Sequence, residues 1–223
     1  MADSKWVEYY DRFAKVYAAP IAQSGYVTND NKTLDESVFD DWVEYIQSHF
    51  MVASSHYLLD VGCGSGIFLE RFSRYTSHLF GVDPAESQLA NARSNCPTVR
   101  LRLGSATDAA FGNLRFDRIF CNSVFLCFSD MSNARDAIYH FLSISAPDAK
   151  IWIGDLPLPT KEMQENSDYR RTGLTTKLGT QHYPPEFMEK LCKEFGVAGT
   201  YVKQIVNKAS AAFRYDWLIE KKA

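Results

Sequence analysis

Apolar positions in the first fifty residues recur with a helical period. In WVEYYDRFAKVYAAP, Trp6, Tyr9, Tyr10, Phe13, Val16 and Tyr17 share a face, and Pro20 stops the pattern. In LDESVFDDWVEYIQSHF, Val38, Phe39, Trp42, Val43, Ile46 and Phe50 form a second such face. The polar link IAQSGYVTNDNKT separates the two. From Tyr57 the rhythm changes. YLLDVG, HLFGVD, TVRLRLGSA, FDRIFCNS and AKIWIGDLP read as strands, with Val99, Leu101 and Leu103 alternating in the third. GIFLERFSRY, PAESQLANARSN and MSNARDAIYHFLSIS read as helices that follow the first, second and fourth strands. PPEFMEKLCKEFG is a further helix, with proline in its first turn where a missing N–H costs nothing. TYVKQIVNK and AFRYDWLIEKK read as two closing strands joined by a short turn.

Strands alternating with helices imply βαβ units, hence a mostly parallel sheet covered on both faces. The closing pair implies an antiparallel edge. The expected fold class is α/β, as one domain over residues 1–223, with residues 1–52 as an N-terminal helical cap or lid.

Composition narrows the function. A chain of 223 residues, 46% of them hydrophobic, holds a sizeable core. A net charge of -3 gives the chain no electrostatic footprint for nucleic acid. Residues 1–60 hold four Lys/Arg against ten Asp/Glu, which argues further against a phosphate-backbone partner. The five cysteines, Cys63, Cys96, Cys121, Cys127 and Cys192, include no C-x-x-C pair, so a disulfide framework or zinc site is not expected and a reducing cytoplasm fits. The start MADSKWVEYYDRF lacks the pattern of a signal peptide, and no apolar run reaches the roughly 18 residues of a membrane span.

The stretch LLDVGCGSGIFLERF carries the candidate chemistry. Ligands of open α/β sheets sit beyond the carboxyl ends of the strands. Gly62, Gly64 and Gly66 let the chain bend there and remove Cβ atoms that would bump a ligand. The dinucleotide fingerprint G-x-G-x-x-G would place its third glycine at Ile67, and the phosphate-binding lysine of a P-loop is absent. Asp60 stands at the strand end instead. A carboxylate repels pyrophosphate and suits an ammonium or sulfonium. Asp83 ends the second strand, where an acid can take both hydroxyls of a ribose. The two acids point to an adenosyl ligand with positive charge and no pyrophosphate, a description that S-adenosylmethionine meets.

LLDVGCGSG with GVDPAESQLANAR resembles the class I S-adenosylmethionine-dependent methyltransferases of the small-molecule type, over residues 57–155. The resemblance implies a Rossmann-like, doubly wound seven-stranded sheet of order 3-2-1-4-5-7-6 with the last strand antiparallel. It implies that Asp60 and the loop Gly62, Cys63, Gly64 and Gly66 hold the methionine half. Asp83 and Pro84 take the ribose side, Ser105 and Ala106 flank the adenine, and Asn122 and Ser123 lie beside the sulfonium. Many members have an acid where Ser105 stands, and Asp108 is the alternative acceptor for the adenine amino group. Tyr10, Tyr17 and Tyr26 are candidates to cover the cofactor with aromatic faces, against ordinary helix packing.

The acceptor half is less legible. CNSVF is unlike the N-P-P-Y type sequence of amino-directed nucleobase enzymes, and Asp155 lacks the second acid of a catechol-type magnesium site, so no metal is expected. A small-molecule acceptor remains, with O-methylation of a sugar or other biosynthetic intermediate expected. His182, in GTQHYPPEF, and Asp155, in WIGDLP, are the candidate bases, each weighed against a structural role. Arg170, Arg171 and Lys177 are candidate anion binders, weighed against a solvated loop. Cys121 and Cys127 read as apolar filling. Two rivals stand beside this reading. An NAD-dependent oxidoreductase conflicts with Ile67 and Asp60, and a non-catalytic scaffold subunit would bind cofactor without turnover. Monomer and homodimer are equally open.

Overall fold

The first strand is short and closed to water on both sides. Leu58–Val61 (β1) is buried at all four positions, as a strand in the middle of a covered parallel sheet must be. The structure, a computed structural model, describes residues 4–26, 32–159, 178–204 and 211–222. Six further strands join β1: Leu79–Asp83 (β2), Arg100–Leu103 (β3), Phe116–Asn122 (β4), Ser145–Pro157 (β5), Ala198–Lys203 (β6) and Arg214–Glu220 (β7). Their order is β3-β2-β1-β4-β5-β7-β6, parallel through β5, with β7 antiparallel to both β5 and β6.

The helices are Ser4–Val16 (α1), Pro20–Gln23 (α2), Glu36–Phe50 (α3), Ile67–Phe72 (α4), Glu86–Asn95 (α5), Met131–Ile144 (α6) and Pro185–Phe195 (α7). Pro20 does more than stop α1. Its fixed φ opens the one-turn α2. The closing strands are joined by residues 204–213, longer than the expected short turn. β3 is an edge strand, so Leu103 is exposed although Val99, Leu101 and Leu103 alternate.

Strand alternation sorts the core into two layers. Leu59, Ile119, Ile151 and Ile219 pack on the face that carries α6 and α7. Leu58, Phe120, Trp152 and Leu218 pack on the other face with α3 and α4. That second layer is aromatic: the Phe120 ring lies 4.7 Å from Phe68, 5.2 Å from Phe72 and 6.0 Å from Phe50. Charged groups lock α3 onto the sheet. Arg71 of α4 reaches Glu36 and Asp40 of α3, and Arg118 of β4 donates to the Phe50 carbonyl at 2.7 Å. The five cysteines are free and buried. No helix among the described residues is long and apolar enough to cross a membrane.

Phe120→Ala would leave a hole at the contact between β4, α3 and α4. Replacing a buried phenylalanine by alanine costs about 3–5 kcal/mol. The expected outcome is a loss of that order in urea unfolding; a loss below about 1 kcal/mol would show that the aromatic layer collapses to fill the space.

Candidate active site

Asp60 and Asp83 end neighbouring parallel strands and are delivered to the same sheet edge, 2% and 7% exposed. The chain then leaves β1 through Gly62, Gly64 and Gly66, at φ 77°, 52° and 84°. These left-handed values favour glycine at each position. The surroundings differ. A Cβ on Gly62 would collide with Val124, and one on Gly66 would meet Cys96 Sγ at 3.0 Å. Those two glycines serve chain packing. Gly64 is the one that bares backbone to open space, with Gln88 Oε1 and Ser24 Oγ each 3.7 Å from where its Cβ would be.

Asp83 staples the two loops together. Its Oδ2 accepts from Gly64 N at 2.9 Å and its Oδ1 from Ala85 N at 2.8 Å, leaving lone pairs for a ligand hydroxyl. The cap residue of α5 is Ala85, without a side-chain bond, so Asp83 fixes the turn before the helix rather than capping it. Asp60 Oδ2 is buried with no hydrogen-bond partner among the described residues. Burial pushes the Asp83 carboxyl up to about 6. Burial, and the charge of Asp83, push Asp60 well above the usual carboxylate range.

These acids open onto a cavity of about 720 Å³, mouth included, within the range of small-ligand sites. Trp6, Val7 and Tyr10 of α1 roof it, and Ser24 and Tyr26 close one side. Gly62, Cys63 and Gly64 line it beside Asp60, and Pro84, Ala85 and Gln88 line it beside Asp83. Its far wall is Asn122, Ser123, Val124 and Cys127, beyond β4. S-adenosylmethionine fits the donor set. The orphaned Asp60 oxygen and the raised carboxyls call for a cation, and the bare Gly64 backbone lets an extended ligand lie close.

The far wall is strained. Ser123 follows β4, and Asp155 lies within β5 at the register shift between Ile153 and Leu156, with φ 58° and 64°, uncommon for residues bearing a Cβ. Ser123 Oγ donates to Asp155 Oδ2 at 2.8 Å, and Asn122 Nδ2 donates to Tyr26 OH at 2.8 Å. Asn122 Oδ1 rests against Gly154, where a Cβ would collide with it. Behind the wall, Asp155 N donates to Asp216 Oδ1 at 2.8 Å, and Arg214 Nη1 donates to the Asp155 carbonyl at 3.0 Å. Asp155 is not itself on the cavity wall and meets it through Ser123.

The structure thus brings Asp60, Gly62, Cys63, Gly64, Asp83, Pro84, Asn122 and Ser123 to one cavity. The other expected site residues lie off this cavity wall. Tyr17 follows the end of α1, packs on Phe13 and is 43% exposed; it lies two turns beyond Tyr10 along the helix direction, past the cavity. Ser105 and Ala106 are off the wall because residues 105–108 fold back on themselves, with Asp108 N donating to the Ser105 carbonyl at 3.0 Å. Asp108 pairs with Arg102 at the surface. Gly66 faces α5. His182 is also off the wall. Burial and the nearby Arg214 hold its imidazole below the usual range. Arg170, Arg171 and Lys177 lie outside the described residues. Sequence reading missed Trp6, Val7, Ser24, Val124 and Gln88 as wall residues. Gln88 left a trace: an amide on the α5 face that also carries Leu89 and Ala92.

The raised carboxyls give a signed pH effect. A carboxyl whose pKa rises on folding keeps its proton in the native state when the unfolded chain has lost it. Its stability contribution is full below the unfolded value of about 4 and is lost as pH rises through the folded one. For Asp83 that folded value is about 6. The ligand-free protein is therefore expected to be stabilised by Asp60→Asn at pH 7, and the advantage should shrink toward pH 4. Urea midpoints across that window check it; an advantage that grew on acidification would contradict the raised values.

A methyltransferase-domain family model matches residues 58–148. The ubiquinone biosynthesis O-methyltransferase of Azorhizobium caulinodans is 32% identical over 71 residues, 30% of this chain and 28% of that protein. The dTDP-3-amino-3,4,6-trideoxy-alpha-D-glucopyranose N,N-dimethyltransferase of Streptomyces venezuelae is 35% identical over 72 residues, 32% and 30% of the two chains. The chain therefore spans under a third of the length of these curated relatives. CalS10, an amino pentose methyltransferase from Micromonospora echinaspora solved with S-adenosylmethionine bound, shares the fold, with a TM-score of 0.62 and 18% identity over 87% of this chain and 94% of that one. Sheet order, glycine loop and paired acids agree with these findings: over residues 58–148 the chain is similar to a methyltransferase domain, and its fold is the one it shares with CalS10.

Proposed function

We propose that the protein transfers a methyl group from S-adenosylmethionine to an oxygen of a small-molecule acceptor, a sugar or another biosynthetic intermediate. The observation that carries the oxygen reading is Ser123, a wall residue whose hydroxyl already donates to the buried Asp155 at 2.8 Å. When bound, the cofactor supplies a methyl group activated on a sulfonium. Everything else falls to the chain. Asp60 would take the ammonium and Asp83 the ribose hydroxyls. Tyr10, Tyr26 and Trp6 line the cavity with rings suited to a sulfonium, and α1 excludes water from above. An acceptor hydroxyl must lose its proton. Ser123 Oγ can accept it while passing its own to Asp155 Oδ2, so that the Asp155 carboxylate, 3.6 Å from Arg214, is neutralised as the acceptor oxygen takes the methyl group. Burial and Arg214 lower the basicity of His182, and it lies off the wall, which favours Ser123 and Asp155 as the proton's route. The two relatives, an O-methyltransferase and an N,N-dimethyltransferase, support small acceptors of both oxygen and nitrogen kinds.

Two outcomes test this. In an assay with labelled S-adenosylmethionine and a panel of phenols, sugar nucleotides and amines, Asp155→Asn should lower turnover on a hydroxyl acceptor by about a hundredfold or more. Its calorimetric affinity for S-adenosylhomocysteine should be retained. Full turnover in that variant, or transfer to amines alone, would remove the oxygen reading; cofactor binding with no transfer to any acceptor would favour a scaffold. Affinity for the cofactor should also fall as pH drops through about 6, where Asp83 takes up a proton and loses the charge that faces the ligand. A flat profile between pH 5 and pH 8 would contradict the role given to the acids.

A further inference from the structure

Gln88 is a wall residue whose two ends do different things. Its side chain is 1% exposed. Nε2 donates to the carbonyls of Tyr10 and Gln23, each at 2.9 Å, one on α1 and one at the end of α2. Two carbonyl partners settle which end is nitrogen. Oε1 is buried, lies on the Gly64 side of the cavity and has no hydrogen-bond partner among the described residues. A buried amide oxygen left bare costs free energy that a donor on a ligand would recover.

Its neighbours say which donor. Gly64 N is bonded to Asp83 Oδ2, so Gln88 Oε1, Gly64 and Asp83 converge where the ribose is expected. The rest of α5 holds the same N-terminal helix. Ser87 N donates to Asp11 Oδ1 at 2.9 Å, and Asn91 Nδ2 donates to the Ala14 carbonyl at 3.0 Å. At its other end α1 is tied by Trp6 Nε1 to the Gly179 carbonyl at 3.1 Å. The roof therefore hangs from α5, and its central tie is the residue whose oxygen faces the cavity.

We propose that Gln88 is a cofactor-positioning residue whose Oε1 accepts from a ribose hydroxyl while its Nε2 holds α1 and α2, so that cofactor occupancy and docking of the N-terminal helices are one linked equilibrium. This rests on the cofactor reading given above. Linkage is reciprocal: a ligand that tightens the roof must itself bind less well when the roof is loosened from elsewhere.

Calorimetry and hydrogen exchange test it without any acceptor. Wild-type protein should bind S-adenosylhomocysteine and 5′-methylthioadenosine, and the first should slow exchange across Ser4–Val16. Gln88→Met, close in volume but without amide groups, should bind both ligands about tenfold more weakly, the value of one good hydrogen bond. It should also lose the ligand-induced protection. Asn91→Ala, which touches α1 but not the cavity wall, should speed exchange in α1 and weaken S-adenosylhomocysteine several-fold. It serves as the test if Gln88→Met fails to fold. Wild-type affinity in Gln88→Met overturns the proposal. So does a penalty confined to S-adenosylhomocysteine, which would move the contact to the amino-acid end, and so does a loosened α1 in Asn91→Ala with unchanged affinity. If wild-type protein binds neither ligand, the cofactor reading itself fails, a result distinct from the other three.

Discussion

Two buried carboxylates at the ends of adjacent strands are the constraint around which the rest of the site is arranged. Asp60 and Asp83 cannot both ionise cheaply in a closed interior, and burial has raised both carboxyls. A protein that holds such a pair accepts a less stable empty state in return for a strong preference for a cationic guest. The same pair explains the ligand's excluded features. Any group with a second negative charge near β1 and β2 would add to the repulsion. The backbone donors on Asp83, from Gly64 and Ala85, temper its rise and fix the loop in the same stroke.

The sheet makes this arrangement possible through parity. Leu58 and Asp60 share one face of β1, and Leu59 and Val61 share the other. The face of Asp60 is the one covered by α3 and α4, with Phe68 of α4 on the cavity wall. One strand thus delivers core on both sides and chemistry at its tip. At β4 and β5 the same logic takes a different form. There the backbone itself turns left-handed at Ser123 and Asp155, and a side-chain hydrogen bond joins the residue after β4 to one inside β5.

The layered fold and the cofactor edge of the site were legible because they depend on local signals. Period-two apolar runs, helical faces and glycines beside acids all read within a dozen residues. What escaped the sequence depends on distance in space. No pattern says that Gly66 opposes Cys96 while Gly64 faces Gln88 and Ser24 with room to spare, or that Tyr10 rather than Tyr17 meets the cavity. The fold-back at residues 105–108, which withdraws Ser105 and Ala106, hangs on the grip of Arg102 on Asp108, a contact between a strand and the turn that follows it. The Ser123 to Asp155 contact was hidden for the same reason, since 32 residues separate its partners.

The stretch matched by the family model, residues 58–148, is a unit of comparison and not a unit of folding. Cut there, the chain would keep Phe68, Phe72 and Phe120 but lose Phe39, Trp42 and Phe50, which cover them. It would also end inside β5 and strip the sheet of β7 and β6. The aromatic layer beneath α3 therefore sets the practical limits of any fragment made for expression, crystallisation or domain fusion. Such a fragment must begin ahead of Glu36 and run through Glu220, however short the stretch by which its kinship is recognised.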